Sequence, residues 1–95
     1  MTRLLSVVIP AFNERQTIEE LLRRVAAAPL PPGIGLEIVV VDDGSTDGTR
    51  DLLRRLVAGR SPAEPPLRIF EQAENQGNGA ALRRGFAAAS GEWIV

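Results

Sequence analysis

No cysteine and no histidine occur among the 95 residues. The first absence excludes disulfides, thiolate metal sites and cysteine nucleophiles. The second excludes Ser-His-acid triads and imidazole-ligated zinc. Lysine is missing as well, so all 11 basic residues are arginine. Chemistry in this chain must rest on carboxylates, hydroxyls, amides and guanidinium groups. The formal net charge of −1 gives no overall field that would recruit nucleic acid or an anionic membrane. Long apolar runs are also absent: the longest, around Val7, Val8 and Ile9, is about five residues, against roughly 20 for a membrane span. Met1 to Leu4 lead straight into a strand-like run with no signal-peptide pattern, so a cytoplasmic location is expected. What remains is ordinary soluble composition, 44% hydrophobic and 24% charged, in a length that allows one small domain.

Along the chain, strand and helix patterns alternate. Leu4–Ile9 reads as a buried strand stopped by Pro10, being short and rich in β-branched residues. Thr17-x-x-Glu20 reads as a capping box opening a helix with an apolar stripe of Ile18, Leu21, Leu22 and Val25. Glu37–Val41 is a second buried strand, and the polar run Asp42–Thr49 turns into a second helix carrying Leu52, Leu53, Leu56 and Val57. Leu67–Glu71 is a third strand. A third helix is expected over about Ala80 to Ser90, with Leu82, Phe86 and Ala89 inward and Gly91 as a left-handed terminator. Trp93-Ile94-Val95 begins a fourth strand. The β-α-β-α-β-α-β order predicts an α/β fold, a three-layer sandwich around a parallel sheet of order 3-2-1-4 with the fourth strand incomplete.

Ligands of such sheets bind beyond the carboxyl ends of the strands. Polar, acidic and glycine residues concentrate there, in Pro10–Glu14, Asp42–Thr49 and Asn75–Gly79. Phe12 and Glu14 can offer a stacking face and a hydroxyl acceptor; they also fit a core aromatic and a residue ahead of a helix. Asp42 can accept N–H or O–H bonds, and Gly44 can let the backbone approach a ligand near a helix N-terminus. Ser45, Thr46 or Asp47 can equally cap that helix. Calcium is rejected for this loop: Asp43, Ser45, Asp47 and Gly48 fit the first half of an EF-hand, but position twelve would be Arg54 where a bidentate glutamate is required. Gly77-x-Gly79 lacks the third small residue of a dinucleotide fingerprint, having Leu82 there, and follows the third strand instead of the first.

Three blocks together resemble the family 2 glycosyltransferases, inverting enzymes of GT-A fold. They are Ser6–Glu14, Glu37–Thr49 and Asn75–Phe86 with Gly91–Val95, and they cover nearly the whole chain. The third block looks most like the polyprenyl-phosphate (dolichol-phosphate) mannosyl- and glucosyltransferase branch. The resemblance implies transfer of a sugar from a nucleotide-sugar donor to an acceptor such as a polyprenyl phosphate, at the inner face of the membrane. It assigns Pro10, Phe12 and Glu14 to the donor's base and ribose. Val41 and Asp42 would hold the base, Asp42 by accepting from a ring nitrogen, with Asp43, Gly44 and Ser45 supporting the pocket. Gly77 and Asn78 fall near the donor phosphates. Phe12 stands where the family commonly has tyrosine, and Asn78 where this branch often has lysine. The resemblance also implies a divalent cation, Mg²⁺ or Mn²⁺, held by an Asp-x-Asp motif and followed by a general base. Neither motif nor base lies within the 95 residues, so the chain is expected to supply a donor-nucleotide half-site alone. It is further expected to be inactive in isolation and to self-associate through the outer edge of its first strand, Leu5 to Ile9. A non-catalytic nucleotide-binding module and a Rossmann-type oxidoreductase are the competing readings.

Overall fold

The computed structural model describes residues 3–95. Its elements are β1 (Arg3–Ala11), α1 (Ile18–Ala27), β2 (Ile34–Asp43), α2 (Thr49–Ala58), β3 (Leu67–Gln72), α3 (Asn78–Ala88) and β4 (Trp93–Ile94). The four strands form one parallel sheet in the order β3-β2-β1-β4, as the alternation predicts. β2 has a strand on each side and helices over both faces, and Glu37 to Asp43 are all buried. That double covering is why its sequence is a continuous apolar run.

Side chains alternate across each strand, so the sheet has two different faces. One face carries Ile9, Ala11, Ile38, Val40 and Leu67 against Ile18 and Leu22 of α1 and Leu53 of α2. Each buried isoleucine, leucine or valine here contributes about 1.5–3 kcal/mol relative to exposure. The other face carries Ser6, Val8, Glu37, Val39, Val41 and Asp43 and is covered by α3 alone. Gly85 permits that covering: a Cβ there would lie 2.3 Å from Val8 Cγ1 and 3.3 Å from Val41 Cγ2.

Several local expectations change. β1 runs through Pro10 to Ala11. Its even-numbered residues face β4, where Val8 N donates to Val95 O, so the missing N–H of Pro10 breaks no bond to β2. The capping box does not form. Thr17 donates instead to Glu14 Oε2 at 2.9 Å, and Glu20 pairs with Arg24. Leu21 and Val57 are exposed. In α3 the buried residues are Ala81 and Gly85, while Phe86 is exposed. The helix is rotated from its large apolar residues onto its small ones because the backbone sits so close to the sheet. Gly91 has no left-handed backbone; it is needed because a Cβ would meet Ser6 Oγ at 2.6 Å. The outer edge of β1 is also better occupied than expected. Glu92 N donates to Leu4 O, Val95 N to Ser6 O and Val8 N to Val95 O.

Candidate nucleotide site

The carboxyl ends of β1, β2 and β3 lie side by side, Ala11 opposite Asp42 and Asp42 opposite Glu71. Beyond them, polar side chains tie the first two loops together. Asn13, at φ 53°, takes a left-handed conformation that asparagine tolerates better than most residues. Its N–H donates to Ser45 Oγ at 2.9 Å, and its side-chain oxygen accepts from Thr46 N at 2.8 Å. Glu14 N donates to Thr49 Oγ1 at 2.9 Å and Arg15 N to Asp47 Oδ2 at 3.2 Å. Asp47 Oδ1 also accepts the Thr49 N–H and hydroxyl at the start of α2. The Thr49 hydroxyl holds the Asp47 carboxyl below its ordinary pKa, against an opposing cost of desolvation and with help from the Thr49 and Arg15 amides.

Asp42 and Asp43 are consecutive in β2 and therefore point to opposite faces of the sheet. Asp43, 1% exposed, turns toward α3. It accepts from Gln72 Nε2 at 2.9 Å, Gln76 N at 2.8 Å and Gly77 N at 2.9 Å. Burial pushes its carboxyl up, but these donors outweigh burial and leave it below the ordinary value. Asp42, 0% exposed, turns toward α2. Its Oδ2 accepts from Arg50 Nε at 2.9 Å and lies 2.8 Å from Arg50 Nη2, with Ser45 N at 3.4 Å. Its Oδ1 is buried and has no partner among the described residues.

The third loop closes against the second. Gly44, at φ 76°, is required by this loop: a Cβ would lie 2.5 Å from Asn75 N and 2.5 Å from the Glu74 carbonyl carbon. Gly77, at φ 92°, precedes α3 and places its N–H on Asp43. Asn78 is the exposed first residue of α3. Val41 is wholly buried, its side chain close under Gly85. Pro10 is half-buried, and Phe12 (40% exposed) and Glu14 are on the surface. Asn13, Arg50 and Gln72 were not singled out from the sequence. Only Asn13, a turn-forming residue wedged between Phe12 and Glu14, carried a local signal. The carboxylates do not converge into a cation site: among the described residues no group of three or more acidic side chains could hold a metal.

The sequence model of glycosyl transferase family 2 matches residues 6–95, a stretch that contains all three loops. The chain belongs to glycosyl transferase family 2. This family 2 chain is 39% identical over 93 residues to undecaprenyl-phosphate 4-deoxy-4-formamido-L-arabinose transferase of Pseudomonas syringae pv. syringae, covering 98% of the chain and 27% of that relative. It is 42% identical over 91 residues to dodecaprenyl-phosphate galacturonate synthase of Rhizobium johnstonii, covering 96% of the chain and 26% of that relative. The chain thus spans about a quarter of the length of the relatives it matches. Among solved structures, a mannosyltransferase from Pyrobaculum calidifontis in complex with GDP-Man and Mn²⁺ aligns with a TM-score of 0.82 and 33% identity, over 99% of this chain and 26% of that one. S. aureus TarS (residues 1–349) in complex with UDP aligns at 0.78 and 29%, over 100% of this chain and 26% of that one. Both likenesses agree with the GT-A fold. No helix among the described residues is long and apolar enough to cross a membrane.

Proposed function

We propose that this chain forms the donor-nucleotide half of a glycosyltransferase that moves a sugar from a nucleotide-sugar donor onto a polyprenyl phosphate. The observation that carries the reading is the joined set of loops at the strand ends, with a buried carboxylate oxygen, Asp42 Oδ1, left without a partner. A carboxyl oxygen kept from water and from protein donors suits an N–H of a nucleobase. Phe12, 40% exposed one residue beyond Ala11 of β1, offers a stacking face at the end of that strand, and Glu14 an acceptor for ribose hydroxyls. The main chain of Val41 and the Gly44-Ser45 turn line the floor. Pro10 stiffens the exit of β1, and Asp43 holds the amides of Gln76 and Gly77, setting Gly77 and the following Asn78 toward the donor phosphates.

Relatives named for undecaprenyl and dodecaprenyl phosphate support the acceptor class, and neighbours holding GDP-Man and UDP support the donor class. With such an acceptor the protein would work at the cytoplasmic membrane face. The acidic residues here do not fit a divalent cation, because Asp42 and Asp43 point to opposite faces and are already held by Arg50 and by Gln72 with two amides. A Mg²⁺ or Mn²⁺ ion would take its ligands from outside these residues.

Titration of UDP and GDP into the intact protein and its Asp42→Asn variant tests the reading. The substitution should weaken binding by about 1–3 kcal/mol, the scale of a charged hydrogen bond. Asp42 also partners Arg50, so some loss of stability will accompany it, and affinity is to be read on folded protein. Unchanged affinity in folded variant overturns the assignment.

A further inference from the structure

The geometry points to Arg50 as the positioning residue for base recognition, a role that rests on the reading of Asp42 as the acceptor of a donor-base N–H. Two hydrogen-bond donors, Arg50 Nε and Ser45 N, and an ion-pair contact from Arg50 Nη2 converge on one oxygen of Asp42. Arg50 Nε lies at 2.9 Å from Oδ2, Arg50 Nη2 at 2.8 Å and Ser45 N at 3.4 Å, while Oδ1 receives none. Held at one oxygen by a guanidinium and a backbone amide, the carboxyl group cannot turn, so Oδ1 is left as an acceptor fixed in direction. The same guanidinium donates through Nη2 to Gln72 O at 2.5 Å, and its Nε lies 3.9 Å from Glu71 Oε1. Arg50 therefore bridges the ends of β2 and β3 and locks the aspartate to both. Its side chain is only 26% exposed, so the planar fork is fixed by its surroundings as well as by its partners.

Lysine can supply the charge but not the fork, since a single ammonium cannot reproduce two donors at those angles. Arg50 thus acts on the ligand only through the orientation of Asp42. The arrangement is tied to a ligand bearing a ring N–H, a uracil- or guanine-type base, and is indifferent to the diphosphate. Because Oδ1 is covered, the base reaches it only with a local displacement of the strand-end loops.

The test is a double-mutant cycle on the intact protein, with Arg50→Lys, Arg50→Gln and Asp42→Asn singly and Arg50→Lys combined with Asp42→Asn. UDP and GDP are the base-bearing probes and inorganic pyrophosphate the base-free one; thermal melts report folding. Expected is a loss of about tenfold in UDP or GDP affinity for Arg50→Lys, the lower end of the charged hydrogen-bond scale. The double variant should be no weaker than Asp42→Asn alone, and pyrophosphate binding should be unchanged. Loss in Asp42→Asn with none in either folded Arg50 variant overturns the positioning role and spares the role of Asp42. No loss in Asp42→Asn overturns both. Failure of both Arg50 variants to fold makes Arg50 a structural ion-pair partner and also overturns the proposal, as does equal loss of pyrophosphate binding.

Discussion

The two faces of the sheet are built on different physics. Under α1 and α2 the contacts are aliphatic, from Ile9, Ile38, Val40, Leu53 and Leu67 with Ile18 and Leu22. On the α3 face the buried Val8, Val39 and Val41 are flanked at both ends by buried polar groups. Glu37 accepts from Ser6 Oγ at 2.9 Å, Arg68 Nη1 at 2.6 Å and Ser90 N at 3.2 Å. Gly91 N in turn donates to Ser6 Oγ at 2.9 Å, and Asp43 gathers Gln72, Gln76 and Gly77. Hydrophobic burial is non-directional and tolerates small shifts, whereas satisfied buried polar groups fix one arrangement. The first face makes the domain stable. The second sets where α3 begins, where β4 joins β1 and how the third loop lies against the candidate nucleotide site.

The contrast can be broken by substitution. Leu53→Ala should cost about 2–5 kcal/mol in denaturant unfolding, the range for a truncated core leucine, and leave the pH dependence of stability as it was. Glu37→Leu should cost about 3 kcal/mol, the low end for breaking a buried pair, because Arg68 is 41% exposed and can rehydrate. Loss of protection at the Gly91–Val95 amides in hydrogen exchange would mark the released β4. If Glu37→Leu is neutral, the polar face is dispensable and the contrast is empty. Gly85→Ala should cost about 1–3 kcal/mol through overpacking against Val8, measured by the same melts, while an alanine at exposed Gly79 should change little.

Acid sharpens the comparison with the smallest effect. Burial opposes ionisation of Glu37, but Arg68, Ser6 and Ser90 outweigh it, so its carboxyl lies below its ordinary 4.5. Asp43 lies below its ordinary 3.8. Lowered folded pKa values mean that the unfolded chain binds protons first. The stabilisation is complete above the ordinary values and is lost as pH falls through the lowered ones. Melts between pH 6 and pH 3 should show this loss, and Glu37→Leu should flatten part of it. An equally steep profile in that variant would place the acid sensitivity elsewhere.

The order of elements, the sheet order and the three loops were legible because they depend on local periodicity and on general rules of connection. The phase of α3 was not, since periodicity favours the large residues Leu82 and Phe86 while the packing selects Ala81 and Gly85. The reasons for Gly44 and Gly91 were also hidden. Each glycine makes room for chain far away in sequence, Glu74–Asn75 in one case and Ser6 in the other. Adjacent aspartates read as one acidic pair in the sequence; strand alternation sends them to opposite faces, with Arg50 and Gln72 as unforeseen partners.

The central claim is that nucleotide binds where the strand-end loops meet. A competing location exists at the other end of the sheet, a hollow of about 390 Å³ lined by Leu22, Ala26, Leu56, Arg60 and Pro65. Amide hydrogen exchange of the intact protein with and without saturating UDP or GDP separates the two. The account requires new protection in residues 11–14, 42–46 and 75–79 and none around Ala26, Leu56 and Arg60. Protection at the hollow, or none at the three loops with nucleotide bound, would contradict it.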